Sequence, residues 1–131
     1  MRTSTTLITF TLLACFSCSS PSSPQIKPID NMGLVELQEK GNLQLIDVRT
    51  PEEVNQGMIQ GALNIDFRSP DFKKKIAQLN KDQPIAVYCG AGGRSGKTSD
   101  LLLTLGFNEI YDLTGGYSRW QQEEYPITLP E

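Results

Sequence analysis

Pro84-Ile85-Ala86-Val87-Tyr88-Cys89-Gly90-Ala91-Gly92-Gly93-Arg94-Ser95-Gly96-Lys97-Thr98 is the stretch from which the fold is read. The run Pro84 to Tyr88 is almost wholly apolar, the pattern of a central strand covered on both faces. From Ser95 to Leu105 the spacing becomes helical, and Gly106 is placed to end the helix. Cys89 opens the glycine-dense turn between them. A strand that turns tightly into a helix aims backbone N–H groups and the positive end of the helix dipole at one point. A thiolate is an anion, so Cys89 is predicted to ionise below the free-cysteine value of about 8.5.

Working outward, short apolar runs alternate with helical patterns from Ile26 onward, the signature of a parallel α/β sheet. Asn31 to Lys40 reads as a short amphipathic helix with Asp30 or Asn31 as its cap and Gly41 as its stop. Leu43 to Val48 is a strand. Thr50-Pro51-Glu52-Glu53 combines a capping hydroxyl, a proline at the first helical position and first-turn acids, starting a helix that ends by Gly57. Ala62 to Ile65 follows as a strand, Asp71 to Leu79 as a helix, Glu109 to Leu113 as a strand and about Gly116 to Glu123 as a final helix. Roughly five strands, mostly parallel, and five helices fit one three-layer α/β/α core over residues 26–131.

Composition narrows the chemistry. None of the 131 residues is histidine, which excludes Cys-His and Ser-His-Asp catalysis and histidine-ligated metal sites. The net charge of −3, without a basic stripe interleaved with aromatics, argues against nonspecific nucleic-acid binding. Lys73-Lys74-Lys75 reads as a solvated helix face.

The first 25 residues carry no acid and one base, Arg2. Leu7 to Ala14 is apolar but far shorter than the roughly 20 residues of a spanning helix, so residues 1–14 are expected to be a signal peptide. Leu12-Leu13-Ala14-Cys15 resembles the lipobox of bacterial lipoproteins, which implies cleavage before Cys15 and its acylation; an ordinary signal cut elsewhere is the alternative. Cys15 and Cys18 form a C-x-x-C, but no strand precedes it, so a redox role is set below a processing site. Residues 15–25, rich in serine and proline, form a tether, and the expected location is the periplasm or cell envelope.

Three motifs in the folded part resemble those of rhodanese homology domains, the sulfurtransferase fold. Leu45-Ile46-Asp47-Val48-Arg49-Thr50-Pro51-Glu52-Glu53, continued by Gly57-Met58-Ile59-Gln60-Gly61-Ala62-Leu63-Asn64-Ile65, is similar to the family's first segments. Val87-Tyr88-Cys89-Gly90-Ala91-Gly92-Gly93-Arg94-Ser95 is similar to its active-site loop, and Leu113-Thr114-Gly115-Gly116-Tyr117-Ser118-Arg119-Trp120 to its third motif. Met58 stands where members usually have histidine and Val54 where an aromatic is common. That histidine is not the family's catalytic base, so its loss leaves the chemistry in place.

The resemblance implies that Cys89 takes a sulfur atom from a donor such as thiosulfate, holds it as a persulfide, and passes it to cyanide or a thiol. The N–H groups of Gly90, Ala91, Gly92, Gly93, Arg94 and Ser95 are expected to surround the outer sulfur, with glycines 90, 92, 93 and 96 supplying unusual φ angles. Arg94 and Lys97 are candidate cations for an anionic donor. Arg49 is read chiefly as a structural partner of Asp47 or a nearby carbonyl. No metal, nucleotide or organic cofactor is called for.

Three competitors share the loop. Ala91 to Thr98 satisfies a relaxed phosphate-binding GxxxxGK[ST] pattern, but the only acid placed to hold magnesium, Asp47, belongs to the first motif. A phosphatase or arsenate reductase would use a longer loop than the four residues between Cys89 and Arg94. A noncatalytic binding module of this fold usually lacks the cysteine.

Overall fold

The computed structural model describes residues 23–130. The elements in chain order are β1 (Gln25–Ile29), α1 (Asn31–Glu39), β2 (Gln44–Asp47), α2 (Pro51–Val54), β3 (Met58–Ile59), β4 (Ala62–Asn64), α3 (Phe72–Ala77), β5 (Ile85–Tyr88), α4 (Gly93–Thr104), β6 (Glu109–Leu113), α5 (Gly116–Gln122) and β7 (Ile127–Thr128). Five strands form one sheet in the order β1-β6-β5-β2-β4. Every pairing in it is parallel, so it is a uniformly parallel sheet where a mostly parallel one is expected from sequence.

Parallel neighbours need a crossover, and the crossovers cover both faces. The period-2 alternation of β5 divides the core in two. Ile85 and Val87 face one cluster with Phe72 and Ile76 of α3, Leu102 of α4 and Phe107. Ala86 and Tyr88 face the other, with Leu34 of α1 and Tyr117 and Trp120 of α5. All four residues of β5 are buried, as a central strand requires.

Local signals set the helix ends. Asp30 caps α1 by accepting from the Gly33 N–H, and Gly41 follows its C-cap with φ +75°. Thr50 and Glu53 form a reciprocal capping box at α2, with Pro51 at its first turn. α4 begins at Gly93, two residues before the helical spacing becomes apparent, because glycines hide the period. Three strands are not legible in the sequence: the edge strand β1, whose first residue, Gln25, falls within the expected tether, and the antiparallel pair β3 and β7.

From β2 the chain passes to β4 on one side, and from β5 to β6 on the other. The sheet therefore has a switch point between β2 and β5, where the two outgoing loops part and leave a crevice at their carboxyl ends. Asp47, Arg49 and Cys89 all occupy that edge.

Candidate active site

Cys89 leaves β5 at the switch point and is 2% exposed. Its Sγ accepts a hydrogen bond from the Gly92 N–H at 3.0 Å, and its thiol points at Ser95 Oγ, 3.8 Å away. Gly92 is the N-cap of α4 and has no side chain to cap it, so the sulfur occupies the place of a capping acceptor. Burial pushes the thiol pKa up, but the N–H groups of Ser95, Gly92 and Ala91 outweigh it, and the net shift is downward. The thiolate is thus favoured by backbone donors and the α4 terminus, with no histidine required.

The glycines divide differently from the sequence expectation. Of the four in or beside the loop, only Gly92 has a positive φ, +118°. The more demanding pair is Gly115-Gly116, with φ +81° and +56°. There α5 turns its first N–H groups onto the Cys89 loop: Tyr117 N donates to Cys89 O at 2.8 Å and Ser118 N to Gly90 O at 3.0 Å. A Cβ on Gly116 would lie 2.5 Å from Cys89 O and 2.8 Å from Gly90 O. The third motif therefore clamps the base of the loop.

Asp47 and Arg49 brace it from the other side. The Arg49 guanidinium donates to Asp47 at 2.7 Å and to Gly57 O at 2.8 Å, and its Cζ lies 3.8 Å from the centre of the Tyr117 ring. Asn64 donates from Nδ2 to the carbonyls of Asp47 and Arg49, both at 2.9 Å. Arg49 is 3% exposed and Asp47 fully buried, so the pair joins the first and third motifs from within. The Tyr117 hydroxyl beside them is buried without a partner. Met58 is buried in β3, its backbone paired with Thr128.

The two candidate cations differ in placement. Arg94 folds back over the loop and makes a bidentate pair with Glu53, Nη1 to Oε2 and Nη2 to Oε1, both at 2.7 Å. Its hydrogen bonds hold the Glu53 carboxyl down at about 2. Lys97 is exposed and borders a different groove, with Phe67, Phe72 and Lys73. A cleft of about 180 Å³ beside the Cys89 loop is lined by Arg49, Glu53, Gln56, Tyr117, Ser118 and Gln121, together with Gly90. Glu53 is the site residue that sequence reasoning leaves as a helix-capping acid; its place in the first motif was the available signal. Cys15 lies outside the described residues.

The Rhodanese-like domain family model matches residues 33–123. A sulfurtransferase of Allochromatium vinosum is 31% identical over 107 residues, covering 81% of this chain and 98% of that protein. The thiosulfate sulfurtransferase GlpE of Shewanella oneidensis is 33% identical over 89 residues, covering 68% and 86%. Among solved structures, a rhodanese-related protein of Thermoplasma volcanium superposes with a TM-score of 0.70 at 33% identity, covering 79% of this chain and 99% of that one.

Proposed function

Because the chain belongs to the rhodanese-like domain family, we propose that it is a sulfurtransferase that carries sulfane sulfur on Cys89. The supporting observation is the Sγ at the N-terminus of α4, 3.0 Å from the Gly92 N–H, with its pKa lowered. The Cys89 thiolate attacks the outer sulfur of a donor such as thiosulfate. A new S–S bond forms, the donor's S–S bond breaks, and sulfite leaves with the electron pair. The charge then resides on the outer sulfur of Cys89–S–S⁻, where the N–H groups of residues 90–95 and the α4 terminus offset it. A thiophile such as cyanide or a thiol removes that sulfur and restores the thiolate, a ping-pong cycle.

The test is the intact mass after incubation with thiosulfate and other sulfane donors. Wild type gains one sulfur and Cys89→Ser gains none. An unchanged wild-type mass with every donor overturns the assignment, and turnover of an aryl phosphate or arsenate without a persulfide transfers it to the phosphatase or arsenate reductase class.

We further propose that the protein is exported and lipid-anchored through Cys15, on the apolar segment Leu7 to Ala14 and the lipobox-like Leu12-Leu13-Ala14-Cys15. Bacterial lipoproteins carry several acyl chains, each burying about 0.8 kcal/mol per CH₂, which suffices for membrane attachment. Labelled fatty acid should enter at Cys15, and Cys15→Ala should abolish both label and membrane association.

A further inference from the structure

A groove of about 430 Å³ lies between α3, α4 and the loop that joins β4 to α3. It shares no lining residue with the cleft beside the Cys89 loop, and its volume falls among those of small-molecule sites, roughly 300–1,000 Å³. Phe67, Pro70, Phe72 and Leu101 make its wall apolar, with the Phe67 and Phe72 rings 5.1 Å apart between centroids. Phe67, Phe72 and Leu101 also belong to or pack on the core cluster that includes Cys89, so the wall is backed by packed interior. The polar contribution comes from two lysines, Lys73 of α3 and Lys97 of α4, both exposed. Lys75 of the same lysine run is bridged to Asp71 at 3.0 Å, whereas among the described residues neither Lys73 nor Lys97 has a carboxylate within bridging distance. Asp71 is already taken up by Lys75 and by the Ser69 hydroxyl, which donates to it. On a chain whose net charge is −3, two unpaired ammonium groups over one apolar groove reverse the sign locally.

We propose that this groove is a second, noncatalytic binding site for a small soluble organic anion with an apolar body, of the class of a medium-chain carboxylate. The apolar body lies against Phe67, Phe72, Pro70 and Leu101, and the carboxylate meets the ammonium groups of Lys73 and Lys97. Lysine stems run along apolar surface while their charged ends stay in water, so the cations stand at the rim and the head group keeps its hydration on one side. Neither half of the ligand suffices by itself. A bare inorganic anion leaves the apolar wall wet, and an uncharged chain leaves both ammonium groups without a partner.

The experiment titrates the full chain with decanoate and follows its backbone amide shifts by NMR. Saturable shifts should concentrate in residues 67–73 and 97–101. Full burial of a methylene is worth about fourfold in affinity, and on this open groove each added CH₂ from hexanoate to decanoate should tighten binding about twofold. A unit charge pair about 4 Å apart in a water-like dielectric is worth about fivefold, so Lys73→Gln and Lys97→Gln should each weaken decanoate by about that factor at low ionic strength. Lys74→Gln removes the same charge from the same helix without touching the groove, and should stay within about twofold of wild type. Decanol, tested on the wild-type chain, should bind more weakly than decanoate and reads the charge requirement without any substitution. The proposal is overturned if millimolar decanoate gives no saturable shifts, if decanol binds as tightly as decanoate, or if Lys74→Gln weakens binding as much as Lys73→Gln. Association with phosphatidylglycerol vesicles that Lys73→Gln and Lys97→Gln reduce, without saturable decanoate shifts, would assign the face to a membrane surface and overturn it as well. None of these outcomes bears on sulfur transfer, which the persulfide mass of Cys89 reads separately.

Discussion

Gly116→Ala is the substitution whose consequence follows most directly from the geometry. The new Cβ would lie 2.5 Å from Cys89 O and 2.8 Å from Gly90 O, both backbone atoms that cannot swing aside. Gly116 also has φ +56°, which costs an alanine about 1 kcal/mol. To escape the contact, α5 must withdraw from the loop, breaking the bonds from Tyr117 N and Ser118 N at about 1 kcal/mol each. The total is about 3 kcal/mol. Gly41→Ala is the control: its φ is +75°, yet nothing lies within 4 Å of its Cβ position, so only the conformational part applies. Urea denaturation should place Gly116→Ala about 2 kcal/mol below Gly41→Ala. In the same variant the Cys89 thiol should titrate at higher pH in an alkylation assay, because the N–H groups that face its sulfur belong to the loosened loop. Two variants of equal stability, with an unchanged Cys89 profile, would refute the clamp.

Iodoacetamide alkylation of Cys89 should be half-maximal at a pH below that of an ordinary thiol, since the Ser95, Gly92 and Ala91 N–H groups outweigh its burial; titration at or above the ordinary value contradicts the site electrostatics. Asp47→Asn should destabilise the fold by about 3 kcal/mol or more, because it leaves the Arg49 charge buried and uncompensated; a loss under about 1 kcal/mol in urea would mean that water reaches the pair. Glu53 ionises at about 2 in the folded protein against an ordinary value of 4.5. Its depressed pKa adds stability above pH 4.5 that is lost as pH falls toward 2, so the urea midpoint of wild type should drop more steeply across that window than that of Glu53→Gln. The pair is partly exposed, so the difference is modest, and parallel pH profiles would count against it. Tyr117→Phe removes a buried hydroxyl that has no partner and should be neutral or stabilising by up to about 1 kcal/mol; a clear loss of stability would reveal a partner for that hydroxyl.

The α/β class, the central strand at Ile85–Tyr88, and the position of Cys89 at a strand-to-helix turn were legible in the sequence because each depends on residues close together in the chain. Apolar runs, caps such as Thr50 and stops such as Gly41 act over a few residues, and spacing records them directly. The edge strand β1 was not legible, because its place is set by pairing with β6 more than 80 residues away, and two-residue strands such as β3 and β7 have no period to detect.

The Cys89 loop divides along the same line. Its glycine content is local information, but only the folded chain selects Gly92 as the glycine with positive φ and makes Gly116 the one that a side chain would clash with. Arg94 is cationic in any reading of the sequence. Whether its charge is free was decided by Glu53, 41 residues earlier, which the switch between β2 and β5 brings within 2.7 Å. Local sequence places the Cys89 sulfur at the strand-to-helix turn, while the charges around it are set by the folded chain, because ion pairs between distant segments follow from how strands are ordered in the sheet and not from spacing along the chain.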